Sequence, residues 1–318
     1  VRGAGCVLLE KPTGQTVNSR CHSIRQSNNP IKIFRAFRAF RGQKIPLGIM
    51  TSLPQNNQAS APHDPDAFLP ERYPLLEFPQ ADWDWFVAAC RDIDIEPTIE
   101  QRQALERLFS HLTGVNAWLN LTRLTTPAEY LKFHVFDSLT ILNLVQEMTA
   151  PGDRILDLGT GGGYPGLPLA TWLTDRPFTL LDSRRKKIEF LQHTIKLLPE
   201  SNIEATCFRG REVKHHRPDL YRNCALVTAR AVGAASENLL DAAELLKNNG
   251  CLIMMKGPNF LKDEGEDFEM ACKRTGFELQ DILPIALDDQ DPDRYIVIVK
   301  NKPKKLPARY TNRHRRIK

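Results

Sequence analysis

Apolar positions from Trp83 onward recur at helical spacing. Trp83, Phe86 and Val87 form one short stripe. Behind Thr98-x-x-Gln101, a capping-box spelling, Leu105, Leu108, Phe109, Leu112 and Val115 form a second on a single face. A turn-like "NLTRL" at 120–124 separates this helix from Thr126-Pro127-Ala128-Glu129, which orders an N-cap, a first-turn proline and an acidic third position, so a third helix is expected to about Val145. Residues 80–150 thus read as a small helical cap. After Pro151-Gly152 the period changes: short apolar runs at 153–158, 177–182, 203–208, 224–229, 250–255, 278–285 and 294–300 predict strands, with helices near 163–174, 184–198, 234–247 and 260–275. The alternation is that of an α/β domain, 151–302, with a mostly parallel seven-stranded sheet covered on both faces. Only "DDQDPD" lies between the last two strands, too little for a helix, so these two are expected to pair antiparallel.

Residues 1–79 carry no such periodicity; Pro, Asn, Gln, Ser and Arg dominate, and an unstructured leader is expected. Met50 is a plausible start, which makes the earlier residues upstream sequence. An Arg-rich, acid-poor stretch over 1–50 equally fits an organelle transit peptide, and both readings stay open. No apolar run approaches the roughly 18 residues of a membrane span. Seven cysteines without a C-x-x-C pair spell neither a zinc site nor a disulfide framework, so no metal is expected and a reduced, cytoplasmic protein is. The net charge of +5 conceals a basic first 50 residues, a middle with a balance of −12, and a tail after residue 299 bearing nine cations and no acid. That tail is either a solvated terminus or a local grip on phosphates.

The chemistry concentrates in "DLGTGGGYPG", Asp157 to Gly166, between a predicted strand and helix. Gly159, Gly161 and Gly163 allow a tight turn and close approach of a ligand to the backbone. The order is G-x-G-x-G, with Tyr164 where a dinucleotide fingerprint has its third glycine, and no Gly-Lys-Ser/Thr follows, which excludes a P-loop. Asp182, ending the second strand, stands where a carboxylate accepts from a ribose diol. Loop and Asp182 together fit S-adenosylmethionine. A dinucleotide-dependent oxidoreductase and a glycine turn used only for packing are the alternatives.

"LDLGTGGGYPGLPLA", "LLDSRRKKIEFL", "VTARAV", "MKG", "NLT" and "HVFDSL" resemble the bacterial 16S ribosomal RNA guanine-N7 methyltransferase family, also called glucose-inhibited division protein B, over about residues 80–307. The resemblance implies a class I (Rossmann-like) methyltransferase fold, S-adenosylmethionine as donor, and N7 of a guanine in the 16S RNA of the small ribosomal subunit as acceptor. It sets the methionine part of the cofactor against Gly159, Gly161 and Gly163, with Tyr164 in place of the family's usual Phe or Leu. Asp182, Ser183 and Arg184 then face the ribose, and Arg211-Glu212 the adenine. Arg230 of "TARA" reaches the cofactor or the RNA. Arg230, Lys256 of "MKG" and Arg123 of "NLTRL" are the candidates for holding the acceptor base, each with a structural ion pair or solvated end as its plainer role.

His134, Asp137 and Ser138 are expected to tie the cap to the cofactor loop by hydrogen bonds. His215-His216 reads as a polar loop, and Trp83, Trp85 and Trp118 as core. With an RNA substrate in view, Lys302, Lys304, Lys305, Arg309, Arg313, Arg315 and Arg316 become candidate phosphate contacts. A monomer acting on the small subunit is the implied arrangement, and a non-catalytic RNA-binding protein on the same fold is the remaining rival.

Overall fold

The computed structural model describes residues 66–198, 200–287 and 294–302. Helix α1 spans Gln80–Asp92 and α2 Ile99–Leu119; Thr98 and Gln101 close the capping box in both directions, and Asn120 ends α2 in the left-handed region. The third cap element, α3, runs through Pro127–Glu129, a π-helical stretch Tyr130–Phe136 and Asp137–Leu139, and α4 follows at Leu142–Met148. The expected single helix to Val145 is therefore widened by one π turn and interrupted at Thr140–Ile141.

The sheet and its covering helices come next: β1 Ile155–Leu158, α5 Gly166–Trp172, β2 Phe178–Asp182, α6 Arg185–Thr194, β3 Ile203–Cys207, a short α7 Val213–His216, β4 Cys224–Arg230 and α8 Ala235–Leu245. They are followed by β5 Leu246–Lys256, α9 Phe260–Asp263, α10 Gly265–Thr275, β6 Phe277–Ile285 and β7 Arg294–Asn301. Strand order is β3-β2-β1-β4-β5-β7-β6, parallel except for β7, which pairs antiparallel with both β5 and β6. This is the seven-stranded class I methyltransferase order. Chain direction across the sheet reverses between β1 and β4, and the carboxyl ends of those two strands form the crevice where such sheets bind ligands.

Alternate strand residues feed two cores, as the pleat requires. Ile155, Leu226, Ile253, Ile296 and Ile298 face α5, α6 and the whole cap. Leu156, Val227, Leu252, Met254, Val297 and Val299 face α8 and α10. The predicted helix at 260–275 is two helices meeting at Glu264–Gly265, and the one at 234–247 stops at Leu245 because β5 begins at Leu246.

One boundary needs correction. Residues 66–79, assigned above to the leader, lie across the cap: Phe68 and Phe78 are buried, the Tyr73 ring lies against the bare backbone of Gly114, and the Leu76 N–H donates to Ser110 Oγ at 2.8 Å. His111 fastens this strap. Its Nε2 must donate to the Phe68 carbonyl at 2.9 Å, which leaves Nδ1 to meet the Thr194 hydroxyl at 3.0 Å, and burial pushes its pKa down to about 4. The strap carries too few apolar residues to show a period, yet enough to fill grooves in a surface that already exists. Residues 1–65 lie outside the described residues.

Candidate cofactor site and the cap seam

β1 ends at Leu158, and the loop that follows is fastened from below by Asp157, which is fully buried. Its Oδ2 accepts from Thr160 Oγ1 at 2.6 Å and the Gly166 N–H at 3.0 Å, and its Oδ1 from Thr228 Oγ1 of β4 at 2.8 Å. Burial raises this carboxyl to about pH 6 against those three donors, which favour the charged form. Asp157 therefore joins β1, β4, the loop and the start of α5, and does not face a ligand.

Above it, Gly161 has φ +59°, and a Cβ built there meets nothing nearer than Lys187 Nζ at 3.7 Å and the Gly159 carbonyl at 3.9 Å. At Gly163, φ +103°, the same atom lies 2.3 Å from Leu167. The crest of the loop is open while its return is packed. Asp182 flanks the crest: Oδ2 accepts from the Gly161 N–H at 3.1 Å, Oδ1 from the Arg184 N–H at 2.8 Å, and Lys187 Nζ stands 3.9 Å away. Beyond β4 and β5, Gly233 and Gly257 are more open still, with nothing within 4 Å of a built Cβ. Bare backbone thus surrounds the carboxyl ends of β1, β4 and β5, and a carboxylate with free lone pairs stands at one side. A ligand with a hydroxylated sugar and a flat base fits these groups, and S-adenosylmethionine is of that kind. Ser183 and Arg184 are exposed at the same edge.

The other site residues fare differently. Tyr164 is buried in a seam between cap and sheet, its ring stacked on His134 with centroids 4.3 Å apart and covered by the Arg230 guanidinium at 5.5 Å, so it supports the loop from behind. Arg230 is held in that seam. Nη1 donates to Asp137 Oδ2 at 2.7 Å and to the Phe133 carbonyl at 2.9 Å, and Nη2 donates to His134 Nδ1 at 3.1 Å. Three of the five N–H donors of Arg230 thus go to the cap, which makes it a tie between sheet and cap, a role its motif did not signal. Because Arg230 can only donate, His134 must carry its proton on Nε2 and give it to Thr122 Oγ1 at 2.8 Å. Burial, and then the neighbouring guanidinium, hold His134 near pKa 3. Asp137 Oδ1 accepts from Arg294 of β7 at 3.1 Å. The hydrogen bonds expected between cap and glycine loop go to the sheet instead: His134 and Asp137 bond Arg230 and Arg294, His134 meets the loop through its stack on Tyr164, and the Ser138 hydroxyl donates back to the His134 carbonyl.

Lys256 is also a structural cation, buried and paired with Glu264 at 2.9 Å while donating to the Gly233 carbonyl at 3.1 Å. Arg211 is exposed and clamped by Glu237 and by Asp241 at 2.9 Å, and Glu212 accepts from the Arg209 N–H at 3.2 Å. Arg123 alone of the acceptor candidates is exposed without an ion pair among the described residues. Its loop is rigid, because Asn116 both donates to and accepts from the Thr122 backbone. Lys302 pairs with Glu278 at 2.7 Å; Lys304, Lys305, Arg309, Arg313, Arg315 and Arg316 lie outside the described residues. Sequence reasoning missed Arg294 and the His134–Tyr164 stack, for which no local spacing gives a signal. Among the described residues no group of His, Cys, Asp and Glu is placed to hold a metal ion, and no helix is long and apolar enough to cross a membrane.

Comparison with known proteins bears on the same residues. A family model described as rRNA small subunit methyltransferase G matches residues 101–290, from the second cap helix to beyond β6. The protein named ribosomal RNA small subunit methyltransferase G from Synechococcus elongatus is 35% identical over 215 residues, covering 68% of this chain and 87% of its own. Its namesake from Nostoc punctiforme is 35% identical over 189 residues, 59% of this chain and 77% of its own, and that from Lactobacillus acidophilus 32% over 226 residues, 71% and 92%. With a match running from cap to sheet through both halves of the site, the chain belongs to the rRNA small subunit methyltransferase G family.

Proposed function

We propose that this protein transfers a methyl group from S-adenosylmethionine to N7 of a guanine in the 16S RNA of the small ribosomal subunit. The observation that carries the reading is the Asp182 carboxylate bonded to the Gly161 N–H at the open crest of the glycine loop, between the carboxyl ends of β1 and β2. The named relatives supply the substrate class, and the family resemblance supplies the atom. Gly161 at the open crest would line the cofactor, with Gly159 and Gly163 letting the loop turn beneath it against Val232 and Leu167; Asp182 and the backbone after it would take the ribose, and the turn at Gly210–Glu212 would lie toward the adenine. S-adenosylmethionine, when bound, supplies a sulfonium methyl. N7 of guanine carries no proton, so the protein's task is alignment and needs no general base. That suits a site whose buried titratable groups, Asp157 and His134, are committed to structural hydrogen bonds. Arg123, exposed on a rigid cap loop, is the remaining candidate for holding the acceptor edge at O6. On this reading residues 151–302 carry the transfer and residues 80–150 shape the acceptor side.

The test is transfer of labelled methyl to small subunits lacking their own N7 methylation, with the product mapped by reduction and aniline cleavage. A single cleavage site is expected, together with at least a hundredfold loss of cofactor affinity in Gly161→Arg, whose side chain would occupy the open crest. Cofactor binding without any transfer to the subunit would refute the acceptor.

A further inference from the structure

We propose that the cations following β2 and β3, Arg184, Arg185 and Lys186 with Arg209, form a docking rim for an RNA phosphate backbone. The inference rests on the RNA methyltransferase reading and names where that substrate is gripped. Asp182 and Cys207 are paired residues in the β2–β3 register, and Arg184 and Arg209 each lie two residues beyond them. Neighbouring strands are about 4.8 Å apart, so the four cations share one edge of the sheet. Lys187, whose Nζ is 3.9 Å from Asp182, joins that edge to the cofactor loop.

The state of pairing distinguishes this cluster. Arg184, Arg185, Lys186 and Arg209 are exposed, and none has an ion pair among the described residues. Three consecutive cations, then Lys187, stand at the positive end of α6, whose first turn holds no acidic residue. Like charges there oppose the helix dipole and one another, each by a few tenths of a kcal/mol. Such a local conflict is typical of a binding surface that an anion completes. The chain does neutralise cations elsewhere: Arg211, at the same edge, is clamped by two carboxylates of α8. A phosphodiester backbone, with regularly spaced single charges and no need for a shaped pocket, fits a row of flexible, solvated cations.

The experiment measures binding of a short labelled single-stranded RNA and of purified small subunits across a salt series, using the full chain. Arg185→Ala combined with Lys186→Ala is expected to weaken binding about five- to tenfold per lost contact near 0.1 M salt. The slope of log K against log salt should fall by roughly 0.7–0.9 for each. Arg209→Ala should add a further step of the same size. S-adenosylmethionine affinity, measured alongside, reports that the site is folded. The charge-retaining pair Arg185→Lys with Lys186→Arg should restore the slope. An unchanged slope in the alanine pair, or a loss that the charge-retaining pair does not restore, overturns the rim. If the wild-type protein binds RNA but methylates no subunit, the functional reading fails instead, and the slope still decides the rim.

Discussion

The two edges of the sheet differ in how they leave their exposed cations: beyond β2 and β3 four stand unpaired among the described residues, whereas those at the amino edge are matched. At the amino edge Arg154 meets Asp219 at 3.2 Å, Arg217 meets Glu204 at 2.9 Å, Lys247 meets Asp153 at 2.6 Å, and Arg176 and Arg222 meet Asp175 and Glu244. Each of those five cations has a carboxylate. At the carboxyl edge, Arg184, Arg185, Lys186 and Arg209 have none among the described residues, although they too stand beside strand ends, the first three at the start of α6. Arg176 apart, which is buried, these are solvent-accessible pairs that each stabilise a fold by no more than about 1 kcal/mol, so their pairing is not what holds the amino edge together. Its consequence is a quiet surface. Leaving the other edge unpaired costs little stability and keeps a positive field beside the cofactor loop, where an anionic substrate must arrive.

Between the edges lies the seam, where charge is both paired and buried, and the largest effect is expected there. Asp137→Ala leaves Arg230 and Arg294 confronting each other without a counter-charge and should destabilise the protein by about 3–5 kcal/mol in urea unfolding, against little loss for an exposed carboxylate. Next comes the rim pair Arg185→Ala with Lys186→Ala, expected to lower RNA affinity and its salt slope while moving the urea midpoint hardly at all. Arg154→Ala at the amino edge should cost less than about 1 kcal/mol and leave the RNA salt slope where it was. An equal change of slope at both edges would erase the contrast between them.

The smallest effect is a pH dependence. The Arg217 side chain, followed more weakly by Arg154, holds the Asp219 carboxyl down to about 2. A carboxyl depressed on folding adds stability that is present above its unfolded value near 4 and lost as the pH falls through about 2. Titration of Asp219 by NMR should therefore give a midpoint near 2 that Arg217→Ala raises toward 4, with a slighter rise in Arg154→Ala.

Much of this was legible in the chain. The capping box at Thr98, the seven strands and the antiparallel return at the sheet edge follow from periods, caps and loop length, which act within a few residues. Gly161 and Asp182 were readable because a strand, a tight turn and a carboxylate at the next strand end form a short-range pattern. The role of Arg230 was not readable. "TARA" brings a guanidinium to a ligand-binding edge, and only the folded cap shows that Phe133, His134 and Asp137 arrive first. Lys256 is the same case, since Glu264 is eight residues away across a turn. The strap at 66–79 was missed because its few apolar side chains have no period of their own.

The sequence by itself determined the α/β architecture, the glycine loop with Asp182 beside it, and the family, because each depends on local spacing or on motifs read in order. Tertiary structure alone decided which cations are free. Whether a guanidinium binds substrate or holds the fold depends on which carboxylates and carbonyls lie within about 3 Å of it. Those neighbours come from residues up to 157 positions away, as Asp137 and Arg294 do.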